Sequence, residues 1–235
     1  MSDFEPIHLR PTAPLAERAL LPGDPGRALA LAQALLEQPK MFNHHRGLWG
    51  YTGRARADGR ALTIQSTGMG GPSAAIVVHE LIELGLRRAI RVGTCGALDP
   101  SLSLGELVLA REAIVADGAS VALGAGERVG ASANLLDRLL VAAPGTRAGA
   151  IVSTDVFYEG GSGRGSHWRE QGAIAVEMEC ASLFTLAARA GVQAACVLAV
   201  SDVFQTDGQR VRIDDRRLVD SAEAMGRVAL AALAG

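Results

Sequence analysis

Short apolar runs alternate with stretches of helical period along the whole chain. Ala19-Leu20-Leu21 predicts a strand that ends at Pro22-Gly23-Asp24-Pro25-Gly26. A helix is expected from about Arg27 to Leu36, stopped by Pro39. Trp49 to Arg56 and Ala61 to Thr67 flank Asp58-Gly59, which signals a hairpin. Gly68-Met69-Gly70-Gly71-Pro72 opens a helix reaching about Leu84, with Pro72 suited to its first turn. Ala89-Ile90-Arg91-Val92-Gly93 reads as a short strand that breaks at once into Gly93-Thr94-Cys95-Gly96-Ala97.

Further strands are expected at Glu106 to Val115, Gly149 to Val152, Ala173 to Val176 and Ala195 to Val200. Helices fall at Leu135 to Ala142, around Trp168, and at Cys180 to Ala190. The last helix carries Leu218, Ala222, Met225 and Ala229 on one face, at spacings of four and three. Asp117 to Gly130 and Glu159 to Gly165 are glycine-rich, and the first reads as a mobile surface loop. No linker or repeat divides residues 1–235, so a single domain is expected. The alternation predicts an α/β fold with three layers, a mixed central sheet flanked by helices. Ligands in such folds collect at the carboxyl ends of strands.

The composition narrows the chemistry. The chain has 235 residues and 49% hydrophobic content, enough for one sizeable core. A formal net charge of -2 and 4% aromatic residues argue against a nucleic-acid partner. Cys95, Cys180 and Cys196 are scattered and without metal-ligand spacing, which predicts a reduced, cytoplasmic protein with no metal. No apolar run is long enough to cross a bilayer, and no secretory leader pattern opens the chain. Lys40 is the only lysine, which removes Schiff-base chemistry and a phosphate-loop lysine.

The informative polar residues stand at strand ends. A guanidinium inside an apolar strand needs an anion, so Arg91 faces either a buried carboxylate or an oxyanion ligand. Gly93, Gly96 and Thr94 suit an oxyanion, and the two readings stand open on these residues. Gly23 to Arg27 is either an ordinary turn or an anion-binding helix start. Gly68-Met69-Gly70-Gly71 lacks the third glycine, and no acidic residue ends the next strand, so a nicotinamide site is not expected. Glu177 and Glu179 share a face if the strand persists, and cap a helix if it does not. Asp202 after the apolar run Cys196 to Val200 is placed for proton transfer or for capping. Phe157 is placed for stacking or for core packing. His8 and His45 default to the surface, and no hydrolase elbow is present.

Six segments in order carry a wider resemblance. They are Leu-Pro-Gly-Asp-Pro-Gly-Arg (21–27), His-Arg-Gly-Leu-Trp-Gly-Tyr-Thr-Gly (45–53), Thr-Gly-Met-Gly (67–70), Arg-Val-Gly-Thr-Cys-Gly-Ala (91–97), Val-Glu-Met-Glu (176–179) and Ser-Asp (201–202). Together they resemble the nucleoside phosphorylase family, which includes hexameric bacterial purine nucleoside phosphorylases, uridine phosphorylases and methylthioadenosine phosphorylases. The resemblance implies that nucleoside and inorganic phosphate are exchanged reversibly for base and ribose 1-phosphate, with no organic cofactor.

By that resemblance Gly23, Arg27, Arg91 and Thr94 hold phosphate, and Arg46 reaches it from a neighbouring subunit. His8 crosses to the ribose 5′ position. Glu179 binds the ribose hydroxyls, Met178 and Met69 pack on the sugar, and Glu177 and Ser201 belong to the nucleoside site. Phe157 stacks on the base and Asp202 is the general acid at purine N7, supported by Arg216 or Arg217. A homo-oligomer is implied, a hexamer built from dimers, with no nucleic acid or membrane partner. The Gln that uridine enzymes place after the Phe-Tyr pair is missing here, while Ser201-Asp202 fits purine enzymes. Uridine phosphorylase, methylthioadenosine phosphorylase, a phosphate-independent nucleosidase and a non-catalytic nucleoside-binding protein are the competing readings.

Overall fold

The computed structural model describes residues 4–158, 163–204 and 209–234. Its first half holds β1 (Arg18–Leu21), α1 (Pro25–Leu35), β2 (Leu36–Asn43), a 3₁₀ turn (His45–Gly47), β3 (Gly50–Ala55), β4 (Ala61–Gln65) and α2 (Gly71–Glu83). The middle holds β5 (Arg88–Ala97), β6 (Leu107–Ala116), α3 (Gly118–Ala122), β7 (Arg128–Gly130), α4 (Ala133–Ala142) and β8 (Arg147–Thr154). The remainder is α5 (Arg164–Glu170), β9 (Ala173–Glu177), α6 (Cys180–Ala190), β10 (Gln193–Phe204), β11 (Arg210–Arg212) and α7 (Asp215–Leu233). Residues 159–162 of the second glycine-rich stretch lie outside the described residues.

The strands form one mixed sheet in the order β11-β10-β6-β8-β9-β5-β1-β4-β3-β2, with β7 added beside β6. Strand β5 also pairs with β10, so β5, β10, β6, β8 and β9 close on themselves as a small barrel. The helices flank it on two sides. Apolar residues of α2 and α6 share one core with Leu21, Val108 and Leu198. Those of α1, α4 and α7 share another with Leu20, Leu109 and Val197. Neighbouring strand residues thus point into opposite layers, as the two-residue period of a pleated strand requires. On α7, Ala222, Met225, Ala229 and Leu233 are buried, and Gly226 lets α1 approach: a Cβ there would lie 2.5 Å from Leu31 Cδ2.

Three expectations need correction. The helix that begins at Pro25 ends at Leu35, and Pro39 lies in the edge strand β2. Register shifts there, between Glu37 and Lys40, and Gln38 takes φ 43. A bulged edge strand tolerates a residue without an N–H, so proline ends nothing here. The Arg91 strand does not break at Gly93 but runs on to Ala97, because its second half has β10 and β9 as partners. Residues 117–130 are ordered by α3 and β7. Asp117 caps α3 by accepting from the Ser120 amide at 2.8 Å, and β7 pairs with β6. Elements of five and three residues are too short to show a period.

Candidate active site

Arg91 organises one end of the site. It is 5% exposed on β5, and its guanidinium lies over Gly93, where a Cβ would sit 2.7 Å from Arg91 Cζ. Nε donates to Glu177 Oε2 at 3.0 Å, and Nη2 pairs with Glu179. The buried ion pair is therefore real, but it does not exhaust the guanidinium. Nη1 is buried and has no partner among the described residues. It faces Gly23, where a Cβ would lie 3.8 Å away. A buried N–H donor left unpaired is costly, and an anion placed against Gly23 would satisfy it.

The two glutamates divide the capping and pairing roles. Glu177, at the end of β9, accepts from the amides of Glu179 at 2.9 Å and Cys180 at 3.0 Å, and from Ser153 Oγ at 2.5 Å. It thus serves the N-terminal turn of α6 as well as Arg91. Glu179 turns the other way, and its Oε1 accepts from the Gly70 amide at 2.5 Å. Burial alone would lower the Arg91 pKa, but Glu179 and Glu177 reverse this and hold it well above the ordinary value. Burial, helped by Glu177, raises the Glu179 carboxyl against the pull of Arg91.

Gly23 and Arg27 come from the turn after β1. Asp24 caps α1 by accepting from the Arg27 amide at 2.6 Å, with Pro25 in the first turn. Gly68 donates to Gly23 O at 3.0 Å, and Thr67 to Pro22 O at 2.9 Å, so the two glycine turns are tied together. Arg27 is half-buried; burial and then the charge of Arg91 lower its pKa, while Asp24 and Glu179 raise it. Two guanidinium groups that repel each other call for an anion between them. Thr94 is half-buried on β5, opposite Ala199 of β10.

Asp202 lies at the other end, 4% exposed. A register shift between Val200 and Asp202 sets it beside Gly96, the kind of bulge that re-aims a side chain. Ser201 Oγ is 2.6 Å from Asp202 Oδ2 and 3.2 Å from Cys95 O, so its single proton goes to the carboxylate. Arg210 Nε donates to Asp202 Oδ1 at 2.8 Å. The same guanidinium lies over the Phe157 ring, with Cζ 4.3 Å from the centroid. Phe157 is 45% exposed, and the Tyr158 ring meets it edge-on at 4.9 Å.

In this structure Arg210, and neither Arg216 nor Arg217, contacts Asp202. Arg217 instead donates to Leu104 O at 2.8 Å, and Arg216 is exposed in the first turn of α7. The signal for Arg210 was the alternation Arg210-Val211-Arg212, a short strand returning beside Asp202. Ser153, which braces Glu177, stood unnoticed at the end of an expected strand.

Other expected residues do not meet Arg91 within the chain. Met69 is 86% exposed, and Met178 is half-buried between the two glutamates. His8 Nδ1 bonds Glu80 Oε1 at 2.8 Å. Glu80 lies nine residues past Gly71 along α2, about 14 Å of rise from the end that meets Glu179. His45 Nδ1 lies 2.9 Å from His8 O, which fixes the N-terminal segment against the 3₁₀ turn. Arg46 is exposed on that turn at φ 59 and makes no side-chain hydrogen bond or ion pair among the described residues.

Comparison with known proteins gives the family. The family model described as the phosphorylase superfamily matches residues 17–234. The chain belongs to the phosphorylase superfamily. Within it, the chain is 40% identical over 202 residues to a DeoD-type purine nucleoside phosphorylase of Alkaliphilus metalliredigens, covering 83% of this chain and 86% of that protein. It is 39% identical over 211 residues to the protein of the same name from Caldanaerobacter subterraneus, covering 86% and 89%. A Geobacillus kaustophilus protein of that name is 37% identical over 216 residues, covering 88% and 89%. The mixed sheet between helix layers is the superfamily fold anticipated from the segment order.

Proposed function

We propose that this protein catalyses the reversible phosphorolysis of purine nucleosides. The observation that carries the reading is the unpartnered Arg91 Nη1 beside Gly23, within reach of the charge of Arg27. Its donors suit inorganic phosphate as co-substrate. The naming of relatives as purine nucleoside phosphorylases supports the base class.

A phosphate oxygen attacks ribose C1′ as the bond from C1′ to purine N9 breaks. The bonding electrons leave with the base, and Asp202 supplies the proton to N7. Phosphate held by Gly23, Arg27, Arg91 and Thr94 stabilises positive charge on the ribose and then captures it. Glu179 binds the ribose hydroxyls, with Met178 and Met69 against the sugar. Glu177 sets the angle of Arg91, and Ser201 that of Asp202. Phe157 stacks on the base. An aspartate at 202 suits 6-amino as well as 6-oxo purines, because N7 is common to both.

Arg46 and His8 complete the site of a neighbouring subunit in a dimer-built hexamer. The exposure of Arg46, its φ of 59 and the anchoring of His8 at the far part of α2 support this. A non-glycine residue held in the left-handed region is strain that a function would explain. The test is a phosphate-dependence panel of inosine, guanosine, adenosine, methylthioadenosine and uridine. Purine cleavage that requires phosphate is expected. Cleavage without phosphate, or faster cleavage of uridine than of every purine, would overturn the reading.

A further inference from the structure

On that reading the base must lie between the Phe157 ring, on which it stacks, and the Asp202 carboxylate, which meets N7. In this structure Arg210 bridges those two groups. Its Cζ is 4.3 Å above the ring and its Nε is 2.8 Å from Asp202 Oδ1. A guanidinium is planar, stacks on aromatic faces and donates in its own plane. It thus satisfies the same two contacts that a purine would make, and the two cannot occupy the slot together.

The placement follows from the sheet. β11 pairs antiparallel with β10, with Arg212 opposite Asp202 and Val211 opposite Val203. Arg210, two residues from Arg212, shares its face, so its side chain reaches Asp202 on the diagonal. A side-chain rotation withdraws it without unpairing the strand.

We infer that Arg210 is a built-in placeholder of the base slot, which the purine displaces from Phe157 and Asp202 together. Entry of the base then does two things at once. It trades one stacking partner for another, and it clears Oδ1 of Asp202 to face N7. The apparent affinity for base is reduced by the fraction of molecules in which Arg210 holds the slot.

The test measures binding of free adenine and hypoxanthine by calorimetry to the wild-type protein, Arg210→Ala and Arg210→Lys, with thermal unfolding of each. Arg210→Ala is expected to bind base about three- to tenfold more tightly, and nucleoside KM falls in parallel. Arg210→Lys keeps the charge but loses the planar stack, and falls between the two. Should Arg210→Ala fail to fold, tighter binding by Arg210→Lys carries the test. Unchanged or weaker binding overturns the inference, as does absence of base binding by every protein. Turnover in the same preparations separates the two claims: wild-type protein without phosphate-dependent turnover counts against phosphorolysis, whereas the ordering of base affinities bears on Arg210.

Discussion

Arg91 and Asp202 are both buried acid or base groups on adjoining strands, yet their surroundings differ in kind. Arg91 is held by Glu177 and Glu179, which are themselves fixed by Ser153, the first amides of α6 and the Gly70 amide. Every contact comes from a core element, and the arrangement is over-determined. Asp202 is held by its neighbour Ser201 and by Arg210, which also lies over the half-exposed Phe157. An anion site shared by every substrate can be rigid. A slot that must admit and release a flat base cannot be locked in the same way. On the proposed reading the Arg91 end therefore couples function to stability, and the Asp202 end separates them.

The largest effect that would sharpen this contrast is at Asp202. Asp202→Asn is expected to lower kcat by about 10²–10⁴-fold, the range of general acid catalysis, with the unfolding temperature nearly unchanged. A large fall in stability would break the contrast. Arg91→Ala comes next. It strands two buried carboxylates and should cost about 3–5 kcal/mol in denaturant unfolding, together with a raised phosphate KM. Full stability in that variant would mean that the ion pair does not hold this end of the fold together. Phe157→Ala should raise nucleoside KM by about two- to tenfold and leave phosphate KM in place, since an aromatic stack is worth about 0.5–1.5 kcal/mol. A matching rise in both constants would join the two ends.

The smallest effect is in acid. Burial would raise the Glu80 carboxyl, but the amides of Leu9, His8 and Ile7 and the His8 ring bring it below the ordinary carboxylate value. A depressed folded pKa gives stability that is complete above the unfolded value, near 4.3, and is lost as pH falls through the folded one. Comparing unfolding temperatures at pH 5 and pH 3.5 should show a smaller acid loss in Glu80→Gln than in the wild-type protein. Equal losses would remove Glu80 from the acid response.

Much of this was legible in sequence because it is periodic or local. The α6 helix, the hairpin around Asp58-Gly59 and the buried face of α7 follow from spacing alone. The strand-end polar residues Arg91, Glu177, Glu179 and Asp202 were visible because charge in an apolar run demands a partner. What the sequence withheld was pairing at a distance. Nothing local says that β5 and β10 close a barrel, or that Pro39 sits at a bulged edge. Arg91 could be read equally as ion pair or anion site; the structure shows the ion pair, through Nε and Nη2, and leaves Nη1 unpartnered among the described residues. Arg210 escaped notice because its meaning depends on which face of a three-residue strand meets Asp202.

Glu80 has a practical reach beyond the site. One carboxylate on α2 receives the main-chain amides of Ile7, His8 and Leu9 within 2.6–3.2 Å. Residues 7–9 are thus a structural strap rather than a tail to be trimmed. A start site chosen downstream of residue 7 would strip partners from a buried charge.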